Sequence, residues 1–179
     1  MTAANKQKII FGLLIAIVFQ VTVLAGEYAG ARYPLWTGKE IRIKVVPVDP
    51  RSLFRGNYAR LRYDFSRIPA KEFNTPEKLR NEERVYVVLK QNNDGVYEFD
   101  KVTLIRPQSG IFLRGRIQNR WRWRSVPKHY TIKYGVEAWF APKAKALKME
   151  RELRKGAVAV IMVADNGKAA LKDVVLQGS

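Results

Sequence analysis

The pattern of hydrophobic positions divides the chain into a long apolar run and a series of short alternating segments. Residues 9–25 are almost wholly apolar, and as a helix they span about 26 Å, slightly less than a bilayer core. Continuation of the helix through residues 26–31 would supply the missing length. The pattern therefore predicts a short tail at residues 1–8, a transmembrane anchor at residues 9–31 and a folded domain at residues 32–179.

Alternation with a period of two predicts that short strands follow the anchor. Asp94-Gly95 and Asn166-Gly167 mark tight hairpin turns, because glycine supplies the positive φ that such turns need. Residues 66–83 contain two prolines and are predicted to form a surface loop. The predicted strands cover residues 40–48, 57–65, 84–91, 96–105, 111–119, 128–134, 157–164 and 169–176.

One soluble helix is predicted at residues 142–155, where Ala146, Met149 and Leu153 share a stripe and Gly156 provides the stop. The expected fold is mainly β, a β-rich α+β arrangement. It combines one N-terminal transmembrane helix with an antiparallel sheet or open barrel that carries one packed helix.

The densest run of special residues lies at residues 49–65, where a turn at Asp49-Pro50 precedes Gly56 and an alternating strand. One interpretation is a turn that sets the register of a core strand. The other is a binding rim of arginines. The expected core face consists of Ala59, Leu61, Tyr63 and Phe65; the expected rim consists of Arg51, Arg55, Arg60 and Arg62.

The same run resembles the motif of the membrane-anchored GDYXXLXY family. Its fixed positions are occupied here by Gly56, Asn57, Tyr58, Leu61 and Tyr63. Asn57 stands where the family pattern has aspartate, so an acid–base role for that aspartate cannot carry over. The resemblance extends from the anchor to residues 165–176 and so covers most of the chain. It implies a bacterial inner-membrane protein with one anchor and an extracytoplasmic domain, and it supplies no known chemistry.

Charge adds an expectation about partners. The chain has 33 Lys and Arg against 16 Asp and Glu, a net +17, and such a domain is drawn to polyanions. Residues 120–124 alternate arginine with tryptophan. The tryptophans could be packed in the core with the arginines exposed, or the segment could contact a membrane or a protein. It could also bind nucleic acid by stacking and phosphate contact. An exported domain rarely meets nucleic acid, so that partner is the least favoured. The predicted arginine ridge consists of Arg114, Arg116, Arg120, Arg122 and Arg124.

Catalytic chemistry finds little support in the sequence. There is no cysteine and one histidine, His129, so a zinc site of the usual type is not expected. No glycine-rich phosphate loop is present, and no recognisable pattern surrounds the serines. Paired carboxylates could be drawn from Asp49, Asp64 and Asp100, but no spacing singles them out. We therefore expect no cofactor and no enzyme activity.

The sequence gives two alternatives for the fate of the anchor and two for its orientation. Residues 23–25 and 29–31 both resemble signal-peptide cleavage sites, although the apolar run exceeds the usual 7–15 residues of a signal peptide. Orientation is nearly balanced by local charge, with Lys6 and Lys8 before the anchor and Arg32 and Lys39 after it. We favour an uncleaved anchor with the tail in the cytoplasm and the domain outside.

The functional expectation is a binding or accessory module that assists another membrane protein. The alternatives are an envelope hydrolase or peptidase with an unrecognised site, and a module that binds polyanions or lipid headgroups.

Overall fold

The N-terminal segment is one continuous helix, α1, over Ala3–Thr37. A computed structural model describes residues 3–46, 58–75, 78–118, 127–140 and 156–176 of the chain. The large apolar side chains from Ile9 to Leu24 are 45–71% exposed, and the segment Gln7–Thr37 is long and apolar enough to cross a membrane. An apolar helix that the described protein leaves uncovered is suited to a lipid environment.

The last turns of α1 pack against the domain, beyond the predicted end of the anchor at residue 31. Pro34 lies within the helix and is buried. Because proline has no N–H, the carbonyl of Gly30, four residues earlier, loses its helical donor. The side-chain amine of Lys168 donates a hydrogen bond to that carbonyl instead. The domain therefore supplies the donor that Pro34 removes, which allows the helix to continue.

Ten strands lie in the described residues. Eight form one curled sheet in the order β10-β9-β1-β5-β4-β6-β7-β3, and β2 pairs with β8. Their bounds are β1 Lys39–Val45, β2 Tyr58–Arg60, β3 Arg67–Pro69, β4 Arg84–Gln91, β5 Tyr97–Thr103, β6 Ile111–Gln118, β7 His129–Lys133, β8 Ala138–Phe140, β9 Ala157–Val163 and β10 Ala169–Leu176.

The predicted fold, mainly β with one long apolar N-terminal helix, is confirmed. The sheet is mixed rather than wholly antiparallel, because β1 runs parallel to β5 where Ile43 faces Tyr97. In the β4–β5 hairpin, β5 and not β4 lies next to β1. This order makes the β1–β5 pair parallel. Local alternation specifies each strand but not its neighbours, so this pair was not predicted.

The turn between β9 and β10 contacts β6, which is far from β9 and β10 in the strand order of the curled sheet. The N–H of Arg114 in β6 donates to the carbonyl of Gly167 at 2.7 Å. Gly167 has φ +76, and a Cβ there would lie 2.6 Å from the ring of Phe112. Only glycine permits this approach, so the predicted hairpin turn also joins strands that are far apart in the sheet order.

One core lies between the curled sheet and the segment that follows β2. Ile41, Ile43, Leu113 and Ile117 are at most 1% exposed and occupy alternate, inward positions of β1 and β6. Strand β9 is apolar throughout and is buried on both faces except at Met162.

The predicted loop at residues 66–83 is partly wrong, since it holds β3 and a 3-10 helix at Ala70–Phe73. Ile68 and Phe73 are buried at 2% and 5% exposure, so their apolar side chains attach the segment to the core. Pro69 is tolerated because it ends an edge strand. The predicted helix at residues 142–155 lies outside the described residues.

Candidate functional site

The family-motif segment is held between β1 and the residues before β8. Leu61 and Tyr63 are buried and Arg60 and Arg62 are exposed, as the alternation predicts. The predicted strand at residues 57–65 is nevertheless too long, since β2 ends at Arg60 and Asp64–Ser66 form a 3-10 turn. The N–H of Leu61 donates to the carbonyl of Glu137, and the carbonyl of Arg62 accepts from the N–H of Val46, both at 2.8 Å. The segment thus packs as part of the fold. Gly56 and Asn57 lie outside the described residues.

Tyr63 has its polar groups satisfied inside the protein. Its hydroxyl donates to the carbonyl of Val136 at 2.7 Å, and its N–H donates to the Ser66 hydroxyl at 2.9 Å. Burial raises the pKa of Tyr63 well above its ordinary value, and the charge of Glu137 adds to the rise. The hydroxyl therefore stays protonated at neutral pH and serves as a structural donor.

Tyr134 repeats this arrangement. Its hydroxyl donates to the carbonyl of Phe65 at 2.6 Å, and burial followed by the charge of Glu137 raises its pKa. The Glu137 carboxylate accepts N–H bonds from Tyr134 and Gly135, which fixes the turn before β8. These contacts favour the structural interpretation of the motif, in which its described side chains hold the fold together.

The predicted arginine set divides into three groups. Arg60 and Arg62 are exposed beside the motif. Arg114 and Arg116 lie on β6, on the face opposite the core residue Leu113, so the sheet separates them from the core. Those outside the described residues are Arg51, Arg55, Arg120, Arg122 and Arg124.

The register of the sheet places further cations beside Arg116. Arg84 of β4 is its partner on one side, and Lys133 of β7 is its partner on the other. All three are exposed, and neighbouring strands lie about 4.8 Å apart. We call these three residues the cationic row. The backbone positions of these three basic residues lie in line across about 10 Å of the outer face.

More basic residues flank the cationic row on the same face. Arg114 pairs with Tyr86 one step along the sheet, and Arg67 of β3 pairs with Thr131. Sequence alternation found Arg114 and Arg116 but missed Arg67, Arg84 and Lys133. Each of these also stands at a polar position in its own strand, but only the pairing register brings them together.

The cationic row has no acidic partner among the described residues. There the one ion pair joins Lys172 to Glu40 at 2.7 Å, on β10 and β1. The Arg116 guanidinium donates to the backbone carbonyl of Glu82 at 3.2 Å, which carries no formal charge. Like charges directly opposite each other on a sheet destabilise it. The row is therefore a cost to folding that a bound anionic surface would relieve.

A cleft of about 220 Å³ lies where β1 and β5 diverge after their single paired position. Its lining includes Lys44, Asp64 and Glu98. The cleft brings the Asp64 and Glu98 carboxylates to a concavity, so it is a place to test the hydrolase alternative. Asp100 lies in β5, whose pairing with β4 is interrupted by a β-bulge, and Asp49 lies outside the described residues.

The other candidate catalytic groups are dispersed. His129 is exposed on β7, Ser66 accepts the N–H of Tyr63, and Ser109 is exposed in the β5–β6 loop. Among the described residues no three His, Asp or Glu side chains are grouped to hold a metal ion.

Comparison with known proteins gives one match. A family model described as GDYXXLXY protein matches residues 20–174, which is most of the chain. No curated protein and no solved structure matches it.

Proposed function

Because this chain belongs to the GDYXXLXY family, we propose that it is a bacterial inner-membrane protein with an extracytoplasmic β-domain that assists another membrane protein. The apolar helix α1 anchors it in a single pass, and the domain acts as a binding or accessory module. The observation that carries the proposal is the cationic row of Arg84, Arg116 and Lys133, which has no acidic partner among the described residues.

The partner that suits this row is an acidic protein surface in the same membrane. Arginine presents a fork of N–H donors that matches carboxylates. Three aligned cations would meet a similar line of acidic side chains. Confinement of both proteins to one membrane raises their effective concentration, so a modest contact area would be enough for association.

Retention of the anchor is supported by its packing. Gly30 and Pro34 contact the domain through Lys168 and buried apolar surface. Cleavage after residue 31 would remove the Gly30 carbonyl that Lys168 binds. Cleavage after residue 25 would leave this contact in place, and it is disfavoured by the length of the apolar run, which exceeds that of a usual signal peptide. The high positive charge of the domain does not oppose export, since long domains translocate largely regardless of charge.

Two other functions remain as outcomes of the test. Lipid headgroups or other polyanions could occupy the same cationic face, and their binding would collapse with added salt. A hydrolase would use the cleft at Lys44, Asp64 and Glu98. Removal of the Asp64 and Glu98 carboxylates together would then abolish its activity.

The proposal is tested by crosslinking the full-length protein in intact membranes, followed by detergent extraction and capture. Two matched variants change the charge equally: Arg84→Glu/Arg116→Glu on the cationic row and Arg60→Glu/Arg62→Glu beside the motif. We expect the parent and the Arg60/Arg62 variant to capture one membrane protein that the row variant loses.

Loss of the partner in the Arg60/Arg62 variant alone would move the binding surface to the motif strand and contradict the proposed site. Failure of the parent to capture any membrane protein would contradict the accessory role itself. Capture that is abolished by salt in both variants and the parent would favour a lipid or polyanion ligand.

A further inference from the structure

The loop between β5 and β6 exposes two apolar side chains at its start. Ile105 is 80% exposed and Leu104 is 36% exposed. Outside α1, Val175 is the one other large apolar side chain in the described residues with comparable exposure. The pair is held in place, because the Ile105 N–H donates to the Thr103 hydroxyl at 3.1 Å and that hydroxyl bonds the Ile105 carbonyl.

This loop is attached to the β9–β10 turn. The Arg106 guanidinium, directly after the apolar pair, donates to the carbonyl of Asp165 at 2.8 Å. The same turn bonds the middle of β6 through Gly167 and Arg114. The start of the loop and the strand that follows it are thus both attached to one turn, and Lys168 of that turn contacts α1.

The β9–β10 turn points back along α1 toward the membrane. Val163, before the turn, packs against Gly38, whereas Lys168, within it, bonds the Gly30 carbonyl. Gly30 lies eight residues before Gly38. At 1.5 Å per residue, the Lys168 contact is therefore about 12 Å closer to the membrane-spanning part of the helix than the Val163 contact. Gly30 is in turn only about 7.5 Å beyond residue 25, where the apolar run ends.

That depth corresponds to the headgroup layer. A bilayer measures about 40–45 Å with its headgroups and about 30 Å without them, so each layer is roughly 5–8 Å thick. Exposed tyrosines flank Gly30 on the helix, with Tyr28 59% exposed and Tyr33 39% exposed, and such residues favour the interface.

We propose that Leu104 and Ile105 insert into the interfacial layer of the membrane that α1 crosses, as a second lipid contact of the domain. Arg106 would remain at headgroup level beside them, bound to the turn. A single helix leaves a domain free to tilt, and a second contact would fix its orientation. This inference does not depend on which partner the cationic row binds.

The absence of cysteine from the sequence makes a direct test simple. Full-length Ile105→Cys is labelled with an environment-sensitive fluorophore and reconstituted in phosphatidylcholine–phosphatidylglycerol vesicles that contain nitroxide-labelled lipid. Asn93→Cys is the matched control, since it is exposed in the β4–β5 turn at the opposite end of β5. Circular dichroism of both labelled proteins checks that they are folded.

We expect lipid nitroxides to quench the label at position 105 at least threefold more than the label at position 93, with a blue-shifted emission. A charged variant of the neighbouring residue, Leu104→Asp, should reduce quenching at position 105 while the fold is retained. Equal quenching at positions 105 and 93, whether weak or strong, would overturn the proposal.

Discussion

The motif segment and the cationic face differ in how their polar groups are satisfied. Around the motif, the Tyr63 and Tyr134 hydroxyls each bond a backbone carbonyl, and no side-chain polar atom buried in the described residues lacks a partner. On the outer face, Arg84, Arg116 and Lys133 are neighbours in register, and none of them has an acidic partner in the part of the chain that the structure describes. The described residues of the family motif thus maintain the fold, whereas the cationic row, which no sequence motif marks, is exposed and free to meet a partner.

The largest expected effect is on stability, at the motif. Tyr63→Ala should lower the free energy of unfolding by about 3–5 kcal/mol, because it removes a buried ring from the core. Tyr63→Phe should cost about 1–2 kcal/mol, because it leaves the Val136 carbonyl without its donor. Urea denaturation of the detergent-solubilised full-length protein, followed by tryptophan fluorescence, measures both.

The control for this prediction is Arg62→Ala, an exposed neighbour that should change stability by less than about 0.5 kcal/mol. If Tyr63→Phe unfolds at the same urea concentration as the parent, the Tyr63 hydroxyl is not a structural donor, and the contrast between the two regions fails.

The next effect concerns the junction of α1 with the domain. Lys168→Met should cost about 1 kcal/mol in the parent, because the Gly30 carbonyl loses its donor. In a Pro34→Ala background the helix itself can supply the missing N–H, so the same change should cost less. A double-mutant cycle by urea denaturation measures this coupling, and additive costs would contradict the proposed exchange of donors.

On the cationic row, one substitution should move stability and binding in opposite directions. Arg84→Glu replaces a repulsive cross-strand pair with an attractive one, so we expect stability to rise by a few tenths of a kcal/mol. Capture of the membrane partner should fall at the same time. A variant that gains stability and keeps full capture would show that Arg84 does not contact the partner.

The smallest effect is expected at the exposed Glu40–Lys172 pair, where the cation has its partner. The hydrogen bond and charge of Lys172 lower the pKa of Glu40. A lowered pKa in the folded state stabilises the protein above the ordinary value of about 4.5, and this contribution disappears as the pH falls through the folded pKa. Melting curves between pH 3 and pH 6 should lose this slope in Lys172→Met and at high salt.

The sequence predicts the elements of this fold better than their arrangement. Alternation identified β1, β4 and β6, and glycines at the two hairpin turns were located correctly, because both signals are local. The parallel pair of β1 with β5 is a long-range feature that no local pattern records. The prediction of a loop at residues 66–83 is partly wrong, because its two prolines are a stronger local signal than the apolar residues Ile68 and Phe73.

The candidate site shows the same limit. Arg116 could be placed on an outer face from its own strand alone. Its neighbours Arg84 and Lys133 come from β4 and β7, and only the register of three strands aligns them. Likewise, the end of α1 could not be foreseen, since it depends on Lys168, which is distant in sequence and replaces the donor that Pro34 lacks.

The central claim is that the partner meets the cationic row and not the motif strand. Single-cysteine proteins Lys133→Cys and Arg62→Cys, each with one positive charge removed, can carry the same photoactivated crosslinker in intact membranes. We predict a specific adduct with one membrane protein from position 133 and none from position 62. An adduct from position 62 alone, or from neither position, would contradict this claim.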